Sequence, residues 1–177
     1  KSWEFQALIK ARFVAGDKTV GELYERQIGA LAWNSLDSSR VVEELRRMRQ
    51  RVIDTLPEQQ RTTNLKLGHG GLRDVEFSVQ LLQLVHGRHD ESVRQKNTLE
   101  AIQALTKASY LGRKDAQIFT EHYKYLRAVE HRLQLKSLRR THVVPEPENL
   151  RELARAMDPK KDPREFSGQL QAIRRQV

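Results

Sequence analysis

Leu72-Arg73-Asp74-Val75-Glu76-Phe77-Ser78-Val79-Gln80-Leu81-Leu82-Gln83-Leu84-Val85-His86 is the stretch from which the fold can be read. It holds no glycine or proline, and Gly71 and Gly87 bracket it. Its apolar residues (Val75, Phe77, Val79, Leu81, Leu82, Leu84 and Val85) fall on most sides of a helix. A helix that is apolar nearly all round belongs in the interior. The stretch therefore predicts the central, most buried helix of the protein.

The segments on either side are helical as well. Upstream, Val41, Leu45, Met48 and Val52 recur at four, three and four residues, with Arg46, Arg47, Arg49 and Arg51 on the outer face and Pro57 as the stop. Val20, Leu23, Tyr24, Gln27, Ile28 and Leu31 follow one helical stripe, and Thr19 with Glu22 has capping-box spacing. Trp3, Phe5, Ala7, Leu8, Ile9 and Phe13 predict a buried helix over 3–14, and Asn34 to Ser39 reads as a turn. Residues 57–65 are polar and read as mobile, and Leu65-Lys66-Leu67 reads as a short extended piece. Downstream, Asn97 and Glu100 cap a helix that buries Leu99, Ile102 and Leu105. The longest helix is expected near 115–140, with Ile118, His122, Leu126, Val129 and Leu133 inward, a span of about 35 Å. Pro147 and Pro163 read as first-turn prolines of two last helices. The expected fold is an all-α bundle of about seven or eight helices, forming one helical domain over residues 1–177.

Composition narrows the classes of function. The chain has 177 residues, 38% hydrophobic and 31% charged, and no apolar run approaches the ~20 residues of a membrane span. It has no cysteine, which excludes disulfides, thiolate-bound metals and cysteine nucleophiles. No signal peptide is visible, so a cytoplasmic location is expected. Both ends read as cut from a longer protein. The net charge of +9 grows along the chain, from +1 over residues 1–60 to +3 over 61–120 and +5 over 121–177. Acidic side chains interleave throughout, so the surface suits an acidic protein partner or a nucleotide phosphate as well as a nucleic acid. Nucleic-acid binding is not expected.

The segment with chemical potential is Lys66-Leu67-Gly68-His69-Gly70-Gly71-Leu72-Arg73-Asp74-Val75-Glu76-Phe77. Three of nine glycines lie within four residues, and glycine lets another group approach the backbone closely. Two readings stand side by side. The helix N-terminus, with Lys66 and Arg73 nearby, makes a phosphate cradle. Alternatively, the glycines form a tight turn, with Asp74 and Glu76 complementing the helix dipole. It is no P-loop, since no Gly-Lys-Ser/Thr follows. Asp74 and Glu76, two residues apart, point about 200° from each other and cannot ligate one ion together. His86, His89, His122 and His131 read as solvent-facing or satisfied in the core. No catalytic constellation and no metal site is expected from these residues.

The motif Lys66-Leu67-Gly68-x-Gly70-Gly71-Leu72-Arg73-Asp74-Val75-Glu76-Phe77-x-Val79-Gln80 closely resembles the signature of the glutamine synthetase adenylyltransferase family. Three further stretches resemble that family in order: Trp3 to Asp17, Tyr125 to Gln134, and Arg139 to Pro145. The resemblance implies an enzyme with two nucleotidyltransferase units, each a catalytic α/β domain followed by a helical domain. One unit attaches AMP from ATP to a tyrosine of glutamine synthetase, and the other removes it by phosphorolysis, giving ADP. A PII signal protein and glutamine set the balance. The Arg73-Asp74-Val75-Glu76 form and the Leu138–Pro145 exit look more like the N-terminal, deadenylylating unit. The family's Gly-Ser turn and Asp-x-Asp pair, which binds Mg²⁺, do not occur in this chain. The implied chain is thus a helical domain that is inactive alone, binds neither Mg²⁺ nor ATP by itself and packs on an upstream nucleotidyltransferase domain. Lys66, Gly68, Gly70, Gly71, Arg73, Asp74 and Glu76 would face the nucleotide or its phosphates. The helical region of a PII uridylyltransferase carries a similar motif and is an alternative. Another is a docking module for glutamine synthetase or PII, with Arg132, Lys136, Arg139 and Arg140 as its face.

Overall fold

The computed structural model describes residues 2–34, 38–146 and 149–177, with the side chains at 2, 3, 5, 34, 38–40 and 137 outside that description. Trp3 and Phe5, the centre of the expected turn after Asn34, and Pro147 thus lie outside the described side chains and residues. The fold is all-α. Its helices among the described residues are α1 (Ser2–Leu8), α2 (Lys18–Asn34), α3 (Ser38–Asp54), α4 (Gln60–Thr63), α5 (Leu72–His86), α6 (Thr98–Lys107), α7 (Arg113–Ser137), α8 (Arg151–Met157) and α9 (Pro163–Gln176). A 3-10 turn at Glu91–Val93 precedes α6. α4, four residues long, lies within the stretch expected to be mobile. None of the described helices is long and apolar enough to cross a membrane.

The chain divides into two compact units, with the boundaries falling inside α3, α5 and α7. The first unit comprises Lys1–Gln50 and Glu76–Ala116. Its apolar centre joins Ile9, Ala32, Trp33, Val41, Leu45 and Leu84. Polar side chains on α5 are buried with partners: Gln6 Nε2 donates to Gln80 Oε1 at 2.6 Å, and Gln83 Nε2 donates to the carbonyls of Val93 and Gln95. The bonded groups offset part of the cost of burial and fix which groups meet, whereas Gln83 Oε1 is buried without a hydrogen bond. Asn97 caps α6 as expected, its side chain accepting from the amides of Leu99 and Glu100.

Three local expectations fail here. α2 is capped by Asp17, whose carboxylate accepts from Thr19 and Val20, so Thr19 lies inside the helix and is not its cap. The stripe on α2 is also mostly uncovered: Val20, Leu23, Tyr24 and Leu31 are exposed, and Ile28 alone of its apolar members is buried. α1 ends at Leu8, not near Val14, and the Phe13 amide is donated to the Glu25 carboxylate.

The second unit comprises Arg51–Val75 and Gln117–Val177. Its centre joins Leu65 and Leu72 with Leu126, Val129 and Leu133 of α7, Leu153 and Ala154 of α8, and Phe166 and Leu170 of α9. Asn64 and Val143 form an isolated antiparallel bridge, with Leu65 N donating to His142 O at 2.7 Å and Val144 N to Thr63 O at 3.0 Å. Leu65 to Leu67, expected to be extended, form a turn. Pro163 occupies the first turn of α9 as expected, behind the Asp162 cap. α7 stops three residues short of the expected end, where Leu138 adopts a left-handed φ of 46° and breaks the helical path.

Candidate functional site

The glycine motif begins where α4 ends. The Asn64 side chain accepts from the amides of Lys66 (3.0 Å) and Leu67 (2.8 Å), closing a tight turn. The chain then doubles back on itself. Gly68 N donates to Asn64 O, His69 N to Arg61 O, Gly71 N to Gly68 O, Leu72 N to Leu65 O and Arg73 N to Lys66 O. Gly70 N is taken by the Asp74 carboxylate at 2.7 Å, and Asp74 N by Gly71 O. Every amide from Lys66 to Asp74 therefore donates within the chain. What the turn offers a phosphate is cationic side chains, not a nest of vacant amides.

The glycines answer to close approach. Gly70 has a φ of +62°, and a β-carbon there would collide with the backbone carbonyl of Arg174 in α9. At Gly68 a β-carbon would meet the carbonyls of Arg61 and Asn64 and the Arg174 guanidinium, and at Gly71 the carbonyl of Leu65. Arg174 itself donates to the carbonyls of Thr62, Asn64 and His69. Burial pulls the Arg174 pKa below its usual value, and the charge of Asp74 opposes that shift.

The candidates named from the sequence separate as follows. Lys66, Gly68, Gly70, Gly71, Arg73 and Asp74 belong to this turn in the second unit. Glu76 is buried and belongs to the first unit, where its charge acts on Lys10. Lys10 is pulled below the usual lysine range by burial, with Glu76 opposing. Asp74 and Glu76 thus serve different partners. Among the described residues no three His, Asp or Glu side chains come together as a metal site. The donor set among the described residues does not fit Mg²⁺.

A second polar cluster adjoins the turn, one the sequence reading did not single out. Glu130 of α7 is only 3% exposed. One of its oxygens accepts from Arg127 Nη1 at 2.6 Å, and the other lies 2.9 Å from His142 Nδ1. The Tyr123 hydroxyl accepts in turn from Arg127. Burial lowers the His142 pKa below its usual value; Glu130 opposes this, whereas Lys66 and Arg140 add to it. The available signal was Glu130 itself, a carboxylate on the inward face with Leu126, Val129 and Leu133. Arg174 carried no such local signal. The other histidines do not gather: His86 stacks on Tyr110 at 3.9 Å, and His89 and His131 are exposed.

Beside the turn, on the side of His69, the second unit has a half-open cavity of about 670 Å³. Val144, Pro145, Leu150 and Leu170 supply apolar lining, with His69 and Arg175 among the polar residues. Arg132, Lys136, Arg139 and Arg140 are all exposed; Lys136 pairs with Glu152 at 2.7 Å, and Arg132 donates to Ala156 O.

The chain is similar to known proteins over most of its length. The family model described as GlnD PII-uridylyltransferase matches residues 43–177. A bifunctional glutamine synthetase adenylyltransferase/adenylyl-removing enzyme of Streptomyces coelicolor is 49% identical over 176 residues, covering 99% of this chain and 17% of the relative. Enzymes with the same description from Leifsonia xyli and Mycobacterium tuberculosis are 54% and 51% identical, each covering 88% of this chain and 16% of the relative. The chain spans about one sixth of the length of the curated relatives it matches.

Proposed function

The chain belongs to the GlnD PII-uridylyltransferase family, and from that premise we propose that it is the helical part of a bifunctional glutamine synthetase adenylyltransferase/adenylyl-removing enzyme. One observation carries this reading within the family. The family model begins at residue 43, whereas the Streptomyces coelicolor relative aligns over 99% of the chain, a span that must take in most of the Trp3–Asp17 stretch. In this reading the longer cytoplasmic protein attaches AMP from ATP to a tyrosine of glutamine synthetase and removes it by phosphorolysis. PII sets the balance. The chain follows an upstream nucleotidyltransferase domain in the deadenylylating half, and the Arg73-Asp74-Val75-Glu76 form supports that choice of half.

The chain's own part is to position charge. The Mg²⁺ that the family's reaction uses would stabilise charge on the transferring phosphate, and carboxylates outside this chain must hold it. At the turn, Lys66 and Arg73 would meet phosphate charge through their side chains. Asp74 holds Gly70 N and so fixes the turn on the first turn of α5. Glu76 would act through its burial beside Lys10, orienting that face of α5.

The test uses the longer protein with its upstream domain. Phosphate-dependent release of AMP from adenylylated glutamine synthetase, as ADP, is followed for wild type, Arg73→Ala and Glu76→Gln. Loss of rate with folding intact is expected for both. Full activity in both variants would make the turn a structural cap. Adenylylation from ATP without any release would assign the chain to the other half. The family's name favours a second reading, uridylyltransfer to PII, and use of UTP in place of ATP would establish it.

A further inference from the structure

Resting on that reading of the turn, we propose that Arg174 is a positioning residue for the reaction: it aims Lys66 and the glycine turn from the last turn of α9, which packs directly against them. The Arg174 guanidinium reaches three backbone carbonyls. Nη1 donates to Thr62 O, Nη2 to Asn64 O at 3.3 Å and His69 O at 2.7 Å, and Nε to His69 O at 3.0 Å. His69 lies 105 residues away along the chain. The carbonyls of Asn64 and His69 stand on either side of Lys66, so the segment carrying that lysine is held at both of its ends. The Asn64 side chain fixes its middle through the amides of Lys66 and Leu67.

Two of the three motif glycines answer to the same residue. Gly70 makes room for the Arg174 carbonyl, and Gly68 makes room for its guanidinium. Asp74 completes the arrangement, holding Gly70 N while its charge favours the half-buried guanidinium. A planar fork holds its donors in one fixed geometry across several carbonyls, a geometry that the compact, freely rotating ammonium of a lysine does not reproduce. The arginine therefore locks the turn's shape, and the shape sets where the lysine ammonium stands relative to a phosphate. Displacements of about 1 Å at such a position cost on the order of 100-fold in rate.

The experiment measures kcat and KM for inorganic phosphate in the phosphorolytic release of AMP. It uses the longer protein as wild type, Arg174→Ala, Arg174→Lys, Arg73→Ala and the double variant Arg73→Ala/Arg174→Ala. Circular dichroism establishes the folded fraction of each. Arg174→Ala is expected to raise KM for phosphate about 10-fold or more with a smaller change in kcat, and Arg174→Lys to recover part of that rise. In the Arg73→Ala background the further loss from Arg174→Ala should shrink to about threefold or less, because both act through one turn. Should Arg174→Ala fail to fold, Arg174→Lys must still raise KM in the same direction. An unchanged KM in Arg174→Lys and Arg174→Ala, with Arg73→Ala impaired, overturns the proposal alone. Equal losses in both backgrounds overturn it too. If Arg73→Ala itself retains full activity, the reading of the turn fails and takes the proposal with it.

Discussion

α2 and α7 carry apolar residues at the same helical spacing, yet they end in opposite surroundings. On α7, Leu126 and Val129 are fully buried and Leu133 is 2% exposed, closed over by α5, α8 and α9 residues of the second unit. On α2, Val20, Tyr24 and Leu31 are each more than half exposed. Periodicity states which side chains share a face, and burial depends on what the rest of the chain lays over that face. The two stripes are alike in sequence and differ in whether a cover was supplied.

The largest effect should separate the two helices directly. Leu126→Ala is expected to cost about 3 kcal/mol of stability by leaving a cavity among Leu72, Phe166 and their neighbours. Urea denaturation reads this, and a loss below about 1 kcal/mol would mean that the α7 stripe is no better covered than that of α2. Next comes the start of α2, where Asp17→Ala should cost about 1 kcal/mol and Thr19→Ala only a few tenths. The reverse order would restore the Thr19 cap.

A smaller effect follows from protons around α7. Burial lowers the pKa of both His122 and His142 below the ordinary 6.5. The folded state then binds fewer protons than the unfolded chain as pH drops through and below that value. Stability from these groups is present above about pH 6.5 and declines on acidification. Thermal melts at pH 7.5 and pH 5.5 check the sign, and replacing both histidines by glutamine should flatten the difference. The smallest effect belongs to the exposed stripe: Leu31→Gln is expected to change stability by no more than about 0.5 kcal/mol. A cost near that of Leu126→Ala would show that α2 is covered after all.

The comparison also explains what could be read in advance. The bounds of α5, the Asn97 cap and the Pro163 start of α9 depend on neighbours within a few positions, so the chain states them openly. Features set by distant partners are silent. α1 ends early, and the Phe13 amide goes to Glu25. α7 ends early because a leucine takes a left-handed backbone that nothing in its type announces. The glycine cluster was legible as a place of close approach. The approaching group, the last turn of α9, was not, because a contact across 105 residues leaves no spacing to count. The pairing of Glu130 with His142 was half legible: a carboxylate on an apolar face demands a partner without naming it.

The satisfied amides of the glycine turn have a consequence in time as well as in space. An amide exchanges its hydrogen with solvent only when its bond opens, so protection follows bonding. In deuterated water the run from Lys66 to Gly71, though it lies outside any helix, should keep its hydrogens much longer than exposed loop residues such as Val14 and Ala15. The slow clock of that turn would be set by a residue more than a hundred positions further on, and Arg174→Ala should make it run fast.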